Sequence, residues 1–279
     1  MKVRFFACAM ALALPALTLA AGAQQQSQSA GQQQSQPAGQ PQNQATGQQP
    51  KPKSEKEVEA LKKVQAAQQA GNWDEEIQAI NYVLENFADT EYKSMLLSMA
   101  IDAAQRKNDY AQTVAFGEQA IQADPNNIDA RVMLAEVIAA HTRENDLDKA
   151  QSIKKIDDYA NKALDLLKTA STPPPGLDAA KWPDVKKQWT SQAYDALGQA
   201  ADLDKKYPEA IQDFKSALDA QPGNAVATAR LAKAYVDSKQ YDDAISTADK
   251  VLAMNDAPAV VKQFAQQQKD AATKLKGAK

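Results

Sequence analysis

The side chains best suited to catalysis or metal binding are scarce in this sequence. Its 279 residues include one His and one Cys, too few for a thiol–imidazole pair or a Cys/His metal site. His141 falls at the end of a helical pattern beside Thr142-Arg143-Glu144 and reads as a solvated helix-end residue. Carboxylates come as neighbours at Glu75-Glu76, Asp157-Asp158 and Asp242-Asp243. Adjacent residues point to different sides of a helix, so these pairs read as solvated faces rather than acid/base sites. Asp146-Leu147-Asp148 lacks the downstream Gly and Glu of a calcium loop. No Gly-rich phosphate loop, nucleophile elbow or zinc-binding helix motif is present. The net charge of −3 offers no footing for nucleic acid. The expectation is a protein with no catalytic residue, metal or cofactor, whose function lies in its surface.

The elements that carry that surface are helices. Ala makes up 55 of the 279 residues and aromatics only 6%. Ala, Leu, Lys, Gln and Glu lose least on entering a helix, whereas a sandwich or barrel needs β-branched and aromatic residues with frequent turn signals.

The first fifty residues stand apart from the rest. Lys2 and Arg4 precede an apolar run from Phe5 to Ala20, and Ala21-Gly22-Ala23 supplies small residues where a signal peptidase reads. Residues 1–23 therefore read as a signal peptide cut before Gln24. An N-terminal membrane anchor is the alternative, but the run is interrupted by Pro15 and shorter than the ~20 residues a span needs. Cys8 lies inside the run and leaves with it, so the mature chain has no disulfide to lean on. Removing Lys2 and Arg4 leaves 30 basic against 35 acidic residues, a net charge of −5. Residues 24–53 form a Gln-rich, low-complexity segment with 13 Gln between Gln24 and Pro50. It has no apolar face to bury and is expected to be disordered, either a tether or a passive tail. The location these features predict is secreted or periplasmic, in a bacterial envelope.

From residue 54 to 276 the sequence repeats. Residues 191–224 laid over 225–258 align Leu197 with Leu231, Gly198 with Ala232, Tyr207 with Tyr241, Ala210 with Ala244, Ile211 with Ile245 and Leu218 with Leu252. Tyr194, Leu197-Gly198, Ala210, Phe214, Ala217 and Pro222 stand at the offsets of a helix–turn–helix unit. Small residues occupy the crossing, larger ones fill around it, and a proline stops the second helix. This 34-residue period resembles the tetratricopeptide repeat (TPR). The resemblance implies an all-α fold: a right-handed superhelical stack of about five helix–turn–helix repeats with a C-terminal capping helix.

The same register places repeats at 57–90, 94–127 and 128–168, with Gly71-Asn72-Trp73 and Tyr110 at inter-helix turns. Thr113 and Glu76 stand where a small residue is usual. Repeat 128–168 carries nine extra residues. There the 3–4 spacing of Leu147, Ala150, Ile153, Ile156, Ala160, Ala163, Leu164 and Leu167 predicts one long helix from about Leu147, capped by Asp146. A Pro-rich break follows at 169–182, Pro183 suits the first turn of the next helix, and 259–274 reads as the capping helix.

In this family the first helices of the repeats line a concave groove. The resemblance implies that partner proteins or peptides lie against Ser98, Asp102, Gln105, Arg106, Val132, Glu136, Asp195, Gln199, Asp202, Ala229 and Lys233. The Asn residues of the family's carboxylate-clamping groove are missing, and the mildly acidic mixture favours a basic or neutral partner. The implied function is a non-catalytic scaffold of the cell envelope with no membrane span after cleavage. The alternatives are an accessory subunit of an envelope enzyme or a cell-wall polymer binder.

Overall fold

The computed structural model describes residues 50–174 and 177–278. The expectations for the signal peptide and nearly all of the Gln-rich segment lie outside the described residues. Within them are eleven helices and no strand. Five antiparallel pairs run in chain order: α1 (Glu55–Ala70) with α2 (Trp73–Asn86), α3 (Lys93–Arg106) with α4 (Tyr110–Ala123), and α5 (Ile128–His141) with α6 (Lys149–Thr169). Then come α7 (Trp182–Leu203) with α8 (Tyr207–Ala220), and α9 (Ala225–Asp237) with α10 (Tyr241–Ala253). The unpaired α11 (Ala259–Gly277) lies against both α9 and α10. Each second helix also packs on the first helix of the next pair, so the whole is an all-α repeat stack.

One turn recurs inside four of the five pairs. Gly71, Asn108, Lys205 and Lys239 all adopt positive φ, at 65°, 55°, 62° and 63°. In each case the next residue's N–H reaches back to a helix carbonyl: Asn72 to Ala67, Asp109 to Ala104, Lys206 to Ala201 and Gln240 to Tyr235. This left-handed cap satisfies carbonyls the helix leaves open. Gly takes it freely, whereas each Lys pays a steric penalty. The following helix is capped from its own side chains where the sequence allows, with Asn72 accepting from Glu75 N–H and Asp109 from Gln112 N–H.

Packing at the helix crossings is tight. Ala210, Ala217, Ala232 and Ala244 are fully buried, and a Cβ built on Gly198 would stand 2.7 Å from the Phe214 ring. The core is thus a column of Ala contacts filled out by Leu, Ile and Phe, and it runs without a break from α1 into α7.

The third pair departs from the expected start of its second helix. Helix α6 begins at Lys149, not Leu147, and Asp146 closes the preceding loop by accepting from Arg143 N–H at 2.6 Å instead of capping the helix. Leu147 is wholly solvent-exposed and Ala150 is exposed, so the buried stripe starts only at Ile156. Loop closure between Arg143 and Asp146 leaves Leu147 outside the helix, and Ala150, in its first turn, stays exposed. The extra length is absorbed by α6 and α7, at 21 and 22 residues, which extend together. Trp182 at the start of α7 is buried and meets Trp189 edge-on at 5.7 Å.

Candidate functional site

The first helices of successive pairs carry most of the chain's unusual polar chemistry. On α3, Ser98 and Arg106 are exposed while Asp102 and Gln105 are half-buried. Arg106 Nε donates to Asp102 at 2.7 Å and its guanidinium lies 4.8 Å over the Trp73 ring. Beneath them sits Glu76 of α2, which is 2% exposed. Burial and the nearby Asp102 charge push its carboxyl up to about 7, against the opposing pull of Arg106. The reading of Glu75-Glu76 as a solvated pair therefore holds for Glu75 alone. Glu76 occupies the small-residue position, and the crossing accommodates a carboxyl there by moving its proton equilibrium up to about neutral pH. Its Oε2 and the Gln105 amide nitrogen have no hydrogen-bond partner among the described residues.

A second cluster spans α5, α7 and α9. Glu136 on α5 accepts from Gln192 Nε2 of α7 at 3.1 Å. Asp195, one turn further along α7, is ion-paired with Arg230 of α9 and accepts from Gln199 Nε2 at 3.2 Å. Burial and the Asp195 charge push Glu136 up to about 8, with Arg230 and the Gln192 hydrogen bond opposing. Burial likewise raises Asp195, against the attraction of Arg230. Two turns on, Lys233 of α9 donates to Asp202 at 2.7 Å and to Asp237 at 2.6 Å. Burial works against the Lys233 ammonium, but the two carboxylates outweigh it and hold its pKa above the ordinary value.

Three residues expected to present solvated side chains to the groove do not. Val132 and Ala229 are 2% exposed and Asp195 is 5% exposed. Arg230, the residue after Ala229, reaches from α9 to α7 and pairs with the buried Asp195. Glu136, Gln199, Asp202 and Lys233 remain half-buried. The acid pair Asp195/Asp202 is thus not a free stripe but two carboxylates neutralised from the next repeat.

Sequence reading missed Gln192, Arg230 and Asp237. The signal for Arg230 was available: it stands one residue past the repeat equivalent of Asp195, close to where a residue bridging two repeats should stand. It also missed a polar strap at the start of the stack. The Tyr92 hydroxyl donates to the Pro50 carbonyl at 2.7 Å, and the buried Glu57 accepts from Thr90 Oγ1 and from Lys53 N–H, both at 2.6 Å. No periodicity marks these contacts.

His141 is exposed and its ring stacks on Tyr110 at 3.8 Å. Among the described residues, no group of three or more His, Cys, Asp or Glu is placed to hold a metal ion, and no helix is long and apolar enough to cross a membrane. Residues of α8, α9 and α10 and the segments that follow α8 and α10 line a concavity that includes Leu218, Pro222, Thr228, Leu231, Lys250 and Met254. Of the aromatic residues on α7 and α9, Trp182 and Tyr235 are buried and Trp189 and Tyr194 are half-buried.

A family model described as the tetratricopeptide repeat matches residues 203–268. The chain has the tetratricopeptide-repeat fold. Solved TPR-type structures superpose over most of it: MamA at a TM-score of 0.52 and 15% identity, covering 70% of this chain and 90% of that one. YrrB, a TPR protein with an unusual peptide-binding site, superposes at 0.52 and 17% identity, covering 76% and 94%. At such identities the likeness is one of fold. No curated protein matches the sequence significantly.

Proposed function

We propose that the protein is a non-catalytic scaffold of the bacterial cell envelope, holding a partner protein or peptide against the face formed by α3, α5, α7 and α9. The observation that carries this reading is the concentration of partly buried, incompletely satisfied polar groups on the first helices. Gln105, Asp195 and Asp202 each keep a side-chain N or O atom without a partner, and such groups are costly to leave unmade in a fold that has no other use for them. The charge balance favours a basic or neutral partner. In the ion-paired clusters of these helices the carboxylates Asp102, Glu136, Asp195, Asp202 and Asp237 are accompanied by three cations, Arg106, Arg230 and Lys233. YrrB, which shares the fold, is described as having a peptide-binding site. Export rests on the first 23 residues, with cleavage before Gln24 and release from the membrane; N-terminal sequencing of protein recovered from the producing cell tests it, and an intact Met1 on a membrane-bound form refutes it.

The groove is tested by capture from envelope extract with three baits: the wild type, Asp102→Lys/Gln199→Lys, and the control Lys154→Glu/Lys162→Glu on α6. All four positions are at least partly exposed, so folding is expected to be retained. Partners that survive the α6 changes and are lost with the groove changes support the reading. Partners lost only with the α6 changes overturn it.

A further inference from the structure

The groove cluster on α5, α7 and α9 has a feature that a passive polar surface does not need. The Asp195 charge acts on Glu136 across the α5–α7 contact, and Arg230 is the cation that acts on both carboxyl groups. Arg230 bonds Asp195 Oδ2 only. Gln192 supplies Glu136 with one hydrogen bond and Gln199 supplies Asp195 with one, leaving Asp195 Oδ1 buried with no donor among the described residues. Asp195 is 5% exposed, yet its neighbours Glu136, Gln192 and Gln199 still reach the groove.

The other charged groups around the pair do not supply the missing cation. Asp129 on α5 adds negative charge against Glu136. Glu118 of α4 is bonded to Lys155 of α6, and Asp157 of α6 and Asp213 of α8 act on one another. Lys233 on α9 is held by Asp202 and Asp237. Two neighbouring carboxyl groups with one cation, paired to Asp195 alone, cannot both ionise cheaply where water is mostly excluded, so one of them keeps a proton.

We propose, resting on the groove reading above, that Glu136 and Asp195 form a proton-linked seat for one basic side chain of the partner. With the groove empty the pair holds one proton. An arriving guanidinium or ammonium takes its place beside Asp195 Oδ1 and Glu136, and the proton leaves to solvent. The occupant is a peptide segment carrying Arg or Lys, bound tightly in alkaline and released in acid conditions. The raised pKa of Glu136, about 8, puts the change within the range an envelope protein meets.

The test uses the mature chain and the capped peptide acetyl-Ser-Gly-Arg-Gly-Ser-amide as probe, with citrulline for Arg as the neutral counterpart. Binding is followed by backbone amide shifts on α5, α7 and α9 between pH 6 and pH 9. Proton release is measured by calorimetry in two buffers of different ionisation heat. The Arg peptide is expected to gain affinity by about tenfold per pH unit below the pair's titration and to level off above it, releasing close to one proton near neutral pH. The citrulline peptide is expected to bind weakly with no slope. Glu136→Gln removes the slope while the same amides still move; the proton count on the wild type stands independently of that variant's folding. Equal affinity for the Arg peptide at pH 6 and pH 9, with the same amides shifting, overturns the proton-linked seat and leaves the groove intact. Shifts confined to other helices, or no binding at pH 9, overturn the seat; if neutral peptides also leave α3, α5, α7 and α9 unmoved, the groove reading falls separately.

Discussion

Gly198→Ala tests the closeness of the α7–α8 crossing. The added Cβ would lie 2.7 Å from Phe214 Cδ1 and Cε1 and 3.0 Å from Cζ. Carbon atoms rest at about 3.5–4.0 Å, so the ring has to retreat by roughly 0.8 Å. Phe214 is 2% exposed, with the fully buried Ala210 and Ala217 on its own helix, so it has little free volume to move into. Ala is the better helix former by about 1 kcal/mol, while overpacking a filled core costs about 1–3 kcal/mol. The net expectation is a loss of about 1 kcal/mol. Phe214→Leu alone removes ring atoms and loses stability through the cavity. In the double variant the new methyl occupies part of that space, so the combined loss falls short of the sum by about 1 kcal/mol. Urea unfolding followed by far-ultraviolet circular dichroism measures all three. Hydrogen exchange of α7 and α8 amides adds local resolution, since a repeat stack need not unfold as one unit. A Gly198→Ala variant more stable than the wild type, or strict additivity in the double variant, refutes the close crossing.

Ala210→Asp places an unpaired charge at the same crossing and is expected to cost about 3 kcal/mol or more, whereas Asp213→Ala removes a carboxyl that burial pushes up to about 6 and is expected not to destabilise at neutral pH; equal melting temperatures contradict the register. Lys239→Gly relieves a left-handed backbone at an exposed turn and should stabilise by about 0.5–1 kcal/mol, read as a raised urea midpoint. Leu147→Ser, at a wholly exposed loop position, should shift stability by no more than about 0.5 kcal/mol, and a large loss would return Leu147 to the core. Glu76→Gln addresses pH: its folded pKa, about 7, lies above the ordinary 4.5. A raised carboxylate costs nothing below about pH 4.5 and progressively destabilises as pH climbs to about 7, reaching at most about 3 kcal/mol. The variant should therefore match the wild type near pH 4 and exceed it at pH 8; a constant difference across that range refutes the buried, protonated reading.

The repeat architecture was legible because it is written in short-range spacing. Gly198 and Ala210 meet the small residues Ala232 and Ala244 one repeat on, Phe214 and Ala217 stand at the offsets that fill around such a crossing, and each is buried. The start of α6 was not legible, because Leu147 fits the helical period and only the Arg143–Asp146 turn keeps it out of the helix. The groove was half legible. Its residues follow from the repeat register, but whether Asp195 is free or covered depends on Arg230 from the next repeat, 35 positions away. Glu76 shows the same limit: a charged residue at a crossing reads as an exception, while the structure buries it and shifts its proton equilibrium. Tertiary electrostatics, set by which helix lies across which, has no periodic signature.

The claim that the first-helix face receives the partner is met most directly by site-specific photo-crosslinking in the producing cell. One probe is placed at Gln199, half-buried on α7, and one at Gln212, exposed on α8. Crosslinks to the same partner from Gln199, and none from Gln212, are the predicted result. Crosslinks from Gln212 alone would contradict the account and move the binding surface to the second helices.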